Sequence, residues 1–463
     1  MDFKSFHARY LEEELDSLTE EVLDIFSQAI TPEISKEYDV VDVMLDFLGY
    51  HENKANYEFI EDLYQVLMDY NQEVFLEIKE YFVEVLVKYH CFQKNGDKVE
   101  AYLQDFINFG YRNYDVLLIT LHFALFYGYT QKVDELIVHL YEDVKQDKEL
   151  IRGASIDFTL FKFSIELEKC YQQYETSGSG PEWEPLQKTM EAYDFDFIPK
   201  FRRAVERGMV HSGERVREKV LRAFPKDKQA TLATLQLIFI RYMRQRGCAF
   251  VVGAMIWNAL LEYWANNESQ DWEAFFQFDE ERFTRFLGKK GGIIMDYRAL
   301  VAALLWGSTH AIAFLKSIQL FDEEHYQAQR QQITAVKQAF KEANNVDLWQ
   351  YNFVFDWQAA NDEADGGQAE EKQLFADSFQ LTSKGQNDAS FGDIENFLPK
   401  PSDIWGNGEI DLPPIAPEKP TRRTHNFKRN ERVTVRYSDG TVKENVKFKT
   451  IQDDFELGAC EVV

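Results

Sequence analysis

The fold is decided by residues 92–140, FQKNGDKVEAYLQDFINFGYRNYDVLLITLHFALFYGYTQKVDELIVHL, which repeat their own pattern after 34 residues. Each copy predicts a pair of helices, with the tight turn inside the pair at Asn95-Gly96-Asp97 and at Gly128-Tyr129-Thr130. A helix pair cannot bury both of its apolar faces alone, so neighbouring pairs must stack. The matched positions are Phe92 with Phe126, Lys98-Val99-Glu100 with Lys132-Val133-Asp134, Tyr102-Leu103 with Leu136-Ile137, and Phe106 with Leu140.

A period of 34 residues is that of the tetratricopeptide repeat, and the chain from about Asp39 to Val144 resembles this class of α-solenoid proteins. The resemblance implies stacked helix pairs that present a concave groove for a peptide or a partner helix. The alternative is that the aromatic residues of these helices only fill the stack.

The remainder of the chain predicts a mainly α protein in four parts. Residues 1–175 are predicted to be a helical repeat domain, and 182–357 a second helical domain that either forms a bundle or continues the solenoid. The breaker TSGSGP at 176–181 separates them. Residues 358–424, rich in acidic residues and Pro, predict a linker that is disordered or loosely docked, and 425–463 predict a small basic β-hairpin module.

Composition narrows the class of protein. The chain has 463 residues, of which 45% are hydrophobic, so it can bury large cores. The apolar stretch from Ala299 to Leu315 falls short of the roughly 20 residues of a spanning helix, so we expect a buried core helix and no membrane span. Four well-separated cysteines and an N-terminus without a secretory signal pattern favour a reducing, cytoplasmic location.

The charge is distributed unevenly. The net charge is −28, but Lys419 to Lys449 carries ten Lys/Arg against three Asp/Glu, and Lys200 to Lys228 carries ten against four. Acidic surface elsewhere repels nucleic acid and membranes, so any contact with a polyanion must be local. Either basic stretch could contact a partner or phosphate groups, and the alternative for Lys200 to Lys228 is a solvated face neutralised by acidic neighbours. The candidate residues are Arg203, Arg207, Arg215, Lys219, Arg222, Lys428, Arg429, Arg432 and Arg436.

The C-terminal module begins with a strong hairpin signal. Apolar and polar residues alternate from Arg429 to Val442 around the pair Asp439-Gly440, a sequence that favours a two-residue turn between antiparallel strands. Cys460 to Val463 predicts a returning strand.

These residues resemble the C-terminal module of some bacterial SecA preprotein translocase ATPases. The resemblance rests on the run RNERVTV at 429–435, on KFK at 447–449 and on GACEVV at 458–463, and it covers under a tenth of the chain. It implies a docking module for an export chaperone or the ribosome. The zinc ligands of the family tail are not carried over, because Lys428 stands where the family has Gly and Cys460 is the one thiolate available. The SecA motor is not implied either, since the sequence has no phosphate-binding loop motif.

No catalytic motif emerges from the sequence. His90 and Cys91 are adjacent on a predicted helix, where their side chains point about 100° apart and cannot form a dyad. We therefore predict no enzyme activity, no cofactor and no metal site. The leading hypothesis is an interaction protein that docks to the ribosome or to export components, and the alternative is a nucleic-acid-associated factor that uses residues 200–228 and the basic tail. An enzyme with an active site assembled from distant residues is the third possibility.

Overall fold

The computed structural model describes residues 2–150, 153–177, 183–195, 202, 218, 222, 224, 228–265, 272–291, 297–358, 367–383, 432–437, 441–447, 455 and 460–462. The chain divides into two compact units, Met1–Pro401 and Ser402–Val463. The first is helical and the second carries the strands, which confirms a mainly α fold with a small antiparallel sheet.

The helices of the first unit, the helical body, are numbered along the described residues. They are α1 Phe3–Glu12, α2 Leu15–Phe26, α3 Pro32–Glu37, α4 Val40–Asn53, α5 Tyr57–Tyr70, α6 Gln72–Phe92, α7 Gly96–Phe109, α8 Tyr114–Phe126, α9 Thr130–Gln146, α10 Ser155–Ser177, α11 Trp183–Glu191, α12 Lys228–Arg244, α13 Phe250–Ala265, α14 Trp272–Phe275, α15 Glu280–Gly291, α16 Arg298–Ser317, α17 Glu323–Ala343, the 3-10 helix Leu348–Phe355 and α18 Gly367–Ser383.

The predicted turns lie between α6 and α7 and between α8 and α9, and they share one geometry. In each, a left-handed residue, Lys94 or Gly128, is followed by a backbone N–H that reaches back five residues: Asn95 N donates to His90 O and Tyr129 N to Ala124 O, both at 2.9 Å. This is the bond of a Schellman motif, which ends a helix and reverses the chain. The same bond and left-handed residue occur at Ala55, between α4 and α5. The helix pairs are therefore built with a repeated turn.

The helix pairs stack in the order of the sequence. Helix α6 packs against both α4 and α8, and α7 packs against α9. Helix α8 also packs against α13 and α16, and α10 packs against α13, so helices from both predicted helical domains meet in this unit. One apolar cluster runs from Phe3 to Phe375. Membership of the tetratricopeptide class stays a prediction.

A buried ion pair fixes the connection between α7 and α8. Lys79 and Glu80 on α6 are each 2% exposed, and their Nζ and Oε1 atoms are 3.0 Å apart. Lys79 also donates to Gly110 O at 2.8 Å, while Glu80 accepts from the backbone N–H groups of Arg112 and Asn113. Because Asn113 caps α8, the pair sets where the next helix of the stack begins.

Helix α16 is the one described helix that is long and apolar enough to cross a membrane, and most of it is buried inside the body. It packs against α13, α15, α17 and the 3-10 helix. This placement agrees with the expected core helix.

Helix α18 lies inside residues 358–424, the segment predicted as a linker that is disordered or loosely docked. Its Phe375 is fully buried, and its Ser378 Oγ accepts a hydrogen bond of 2.7 Å from Trp349 N of the 3-10 helix. Thr382 Oγ1 donates to Val346 O at 2.7 Å. The buried face of α18 therefore mixes rings with hydroxyls that satisfy backbone groups, and such a face does not stand out as an apolar stripe.

The second unit contains a three-stranded antiparallel sheet of β1 Arg432–Tyr437, β2 Val442–Lys447 and β3 Cys460–Val462, in the order β2-β1-β3. Strands β1 and β2 form the predicted hairpin, and β3 is the predicted returning strand. The predicted Asp439-Gly440 turn lies outside the described residues. Cys460 packs with Val433 and Val435 in the small core of the sheet.

Candidate partner-binding sites

A groove of about 840 Å³ opens on the helical body. It lies among the α8–α9 turn, the first half of α9, the middle of α10 and the turn between α12 and α13, and Asp356 and Trp357 also line it. Its lining residues are Phe126, Tyr127, Gly128, Thr130, Gln131, Asp134, Glu135, Ile165, Glu168, Lys169, Gln172, Arg244, Gly247, Cys248, Ala249, Asp356 and Trp357.

The charges that line this groove are paired with one another or with neighbours. Asp134 accepts from Lys162 at 2.6 Å and from Lys169 at 3.2 Å. Arg244 Nε lies 2.9 Å from Glu168 Oε1, and Asp356 lies 2.8 Å from the Lys94 ammonium. A wall of paired charges keeps its side chains in place without presenting a strong net charge to a ligand.

Burial changes the acid–base properties of two lining groups. It raises the pKa of the Glu168 carboxyl, and the nearby Arg244 opposes the increase. It also raises the pKa of the Cys248 thiol, which therefore stays protonated at neutral pH. A protonated thiol is a poor nucleophile, so Cys248 contributes polar volume to the groove and not covalent chemistry.

Two aromatic residues that line the groove, Phe126 and Tyr127, contact the 3-10 helix. The Phe126 ring stacks on Phe353 with centroids 4.9 Å apart, and Tyr127 OH donates to Gln350 O at 3.1 Å. The 3-10 helix therefore fixes the end of α8, and the groove exists before any partner binds. A preformed cleft with an aromatic floor and polar walls suits a peptide segment.

Most of the predicted basic stripe lies outside the described residues, namely Arg203, Arg207, Arg215 and Lys219. Arg222 is described and exposed, and its guanidinium lies 3.9 Å from Glu218. Three arginines of α12 and the turn after it, which could have extended such a stripe, contact the body itself. Arg241 donates to Tyr171 OH at 2.8 Å, Arg244 pairs with Glu168, and the Arg246 guanidinium lies 3.5 Å from the centre of the Tyr242 ring.

Of the candidate residues near the C-terminus, Lys428 and Arg429 lie outside the described residues, whereas Arg432 and Arg436 are exposed on β1. The two arginines are four residues apart on one strand, so they share a face. On that face Arg436 lies between Val442 of β2 and Glu461 of β3, with its guanidinium 3.9 Å from the Glu461 carboxylate. Both members of this pair are more than half exposed, which makes it weak.

The residues considered for catalysis occupy structural positions. His90 Nε2 lies 2.5 Å from Glu61 Oε1, and burial raises the pKa of the adjacent Cys91 thiol. Within the described ranges, no group of three or more His, Cys, Asp or Glu is placed to hold a metal ion.

A segment of 46 residues is 50% identical to the protein translocase subunit SecA of Amoebophilus asiaticus (strain 5a2). The matched segment spans 10% of this chain and 4% of that protein. No family model matches the chain, and no solved structure matches it. The comparisons therefore show a short segment similar to part of SecA.

The groove residues were not identified by sequence reasoning. Asp134, Lys169, Arg244 and Trp357 come from four distant parts of the chain, and no short motif joins them. The sequence feature that pointed to this region was the predicted turn at Gly128, a residue that lines the groove.

Proposed function

We propose that this chain is a non-enzymatic adaptor protein of the cytoplasm. Its helical body holds a protein segment in the groove, and its C-terminal module docks onto a second partner in the protein-export machinery or on the ribosome. We assign the segment similar to SecA to this module, on the residues Arg429–Val435 and Gly458–Val463.

The contrast between the two cationic sets is the observation that supports this proposal. Lys162, Lys169 and Arg244 pair with carboxylates of the body, whereas Arg432 and Arg436 are exposed on β1, where Arg436 has a weak exposed pair with Glu461. Exposed cations add little to folding stability, and their charge can steer and orient a partner. A groove on one unit and a cationic surface on the other supply two binding functions within one chain.

The test compares the full chain with a chain that ends at residue 420. Each is immobilised and exposed to purified ribosomes and, separately, to purified export translocase. We expect the full chain to retain one of these partners and the shortened chain to lose it. Equal retention by both chains would remove the docking role of the module.

A salt titration separates this proposal from the nucleic-acid alternative. Phosphate contacts release counterions, so binding to a nucleic acid weakens steeply as salt rises. Retention of naked RNA by the full chain, with that dependence on salt, would favour a nucleic-acid-associated factor over an adaptor for proteins.

A further inference from the structure

Helix α18 sits in an aromatic seat, defined by Tyr57, Tyr89, Phe92 and Trp349. The ring of Phe379 meets all four: its centroid lies 6.1 Å from Tyr57, 6.1 Å from Tyr89, 5.3 Å from Phe92 and 5.2 Å from Trp349. One turn earlier, Phe375 packs edge-on against Trp306 at 5.3 Å and against Phe355 at 4.9 Å. A helix with apolar residues at i and i+4 therefore fills the seat.

Two polar residues of α18 also contact the body beside the seat. Ser378 Oγ accepts from Trp349 N at 2.7 Å, and Glu371 of the same helix accepts from Lys341 at 3.0 Å. These contacts fix the register of α18, because a shift by one residue would bury a different side chain opposite Trp349 N.

Two donors in the seat are left without an acceptor when α18 occupies it. Tyr57 OH and Trp349 Nε1 are buried and have no hydrogen-bond partner among the described residues. Both rings contact Phe379, whose side chain cannot accept a hydrogen bond. Buried donors are normally satisfied, and an unsatisfied one weakens the docked state. Helix α18 is therefore an incomplete match to its own seat.

We propose that the aromatic seat is an exchangeable helix-binding site, and that its partner is an amphipathic helix that displaces α18. The partner has apolar residues at i and i+4 and a hydroxyl at i+3, as α18 does. At or beside the position of Phe379 it carries an acceptor side chain, which takes the hydrogen bonds of Tyr57 OH and Trp349 Nε1. This interaction uses the helical body and does not depend on the C-terminal module.

The first experiment weakens the docking of α18 by a substitution and adds the same helix as a separate peptide. The probe is a fluorescent peptide of residues 367–383, and the proteins are the full chain, its Phe375→Ala variant and its Leu374→Ala variant. Phe375 is fully buried and Leu374 is 47% exposed, so the adjacent substitutions form a matched pair. We expect saturable binding to Phe375→Ala at least 10-fold tighter than to the other two proteins.

The second experiment tests whether a hydrogen-bond acceptor at position 379 of the peptide strengthens its binding. Two peptides carry Phe379→Gln and Phe379→Leu, which both remove the ring and are similar in size. We expect the Gln peptide to bind the Phe375→Ala chain about 10-fold more tightly than the Leu peptide, because only Gln can accept from the two donors. Tighter binding of the Leu peptide would contradict the acceptor requirement.

Three outcomes overturn the proposal. One is the lack of saturable peptide binding to a Phe375→Ala chain that keeps its helical circular dichroism. Another is equal binding to all three proteins. The third is a concentration-dependent dimer of the Phe375→Ala chain that excludes the peptide, which would assign the seat to α18 of a second copy.

Discussion

The helical body and the C-terminal module use charged side chains for opposite purposes. In the body, Lys79 and Glu80 are buried against each other and against the α7–α8 connection. In the module, Arg432 and Arg436 stand exposed on one strand over a core of only a few residues. A buried ion pair is costly to break, whereas an exposed one contributes little. The location of a charge therefore separates the residues that hold this fold from those available to a partner.

The largest effect is expected from Glu80→Ala. The substitution leaves Lys79 buried without its carboxylate and removes the acceptor of Arg112 N and Asn113 N, so we expect a loss of about 3–5 kcal/mol in the free energy of unfolding. Urea titration measures it. Glu77→Ala is the matched control, because Glu77 is 53% exposed and lies 3.8 Å from Arg112. The control should cost less than about 1 kcal/mol, and equal losses would contradict the assigned role of Glu80.

A loss of about 3 kcal/mol is expected from Phe375→Ala, because the substitution empties a fully buried site between Trp306 and Phe355. Amide hydrogen exchange should show faster exchange in α18 than in α6. Leu374→Ala, on the exposed side of the same helix, should leave the exchange of α18 within a factor of about 2. Unchanged exchange in Phe375→Ala would mean that α18 is not held by this ring.

The buried histidines of the body make its stability depend on pH. Burial lowers the pKa of His122 to about 4, and burial together with Lys337 and Arg246 lowers that of His310 to about 3, against 6.5 for an ordinary histidine. At a pH between 6.5 and these lowered pKa values, the histidines of the unfolded chain bind protons that those of the folded body do not. The stabilisation is therefore complete above pH 6.5 and is lost as the pH falls towards 4.

Each of these histidines contributes a slope of about 1.4 kcal/mol per pH unit within that window. The variant His122→Phe removes one of these contributions, so its free energy of unfolding should fall less steeply between pH 6.5 and 4.5. Urea titrations at four pH values measure the slope. An unchanged slope would show that His122 is protonated in the folded body.

The smallest effect on stability is expected from Arg436→Ala in the module. Its partner Glu461 is 3.9 Å away and both side chains are exposed, so the free energy of unfolding should change by less than about 0.5 kcal/mol. Arg222→Ala in the body tests the same rule, because Arg222 lies 3.9 Å from Glu218 and both are exposed. A change above about 1 kcal/mol in either variant would break the distinction between buried and exposed charges.

The sequence was most informative where turn chemistry and spacing agree. The 34-residue repeat located the turns after α6 and α8, because Asn95 and Gly128 favour the backbone conformations found there. The hairpin of the module followed from the alternation of apolar and polar residues from Arg429 to Val442 around the pair Asp439-Gly440. These signals are local, and local geometry decides both features.

Features that depend on distant contacts were not predicted. Lys79 falls on the apolar stripe with Phe75 and Phe82, which was a signal of burial, but its role depends on Gly110, 31 residues away. Helix α18 lies in a segment predicted as a linker from its acidic and Pro-rich composition, and the buried face of the helix contains Ser378 and Thr382. Hydroxyls there become favourable only once the folded chain places Trp349 N and Val346 O beside them.

The most direct measurement compares folding and binding in one double variant, Arg432→Ala with Arg436→Ala. Its free energy of unfolding is determined by urea titration, and its dissociation constant is determined for the partner that the full chain retains, ribosome or export translocase. We expect unchanged stability, within about 0.5 kcal/mol, and a dissociation constant about 10-fold higher or more. An unchanged dissociation constant would contradict the claim that the exposed arginines of the module serve a partner.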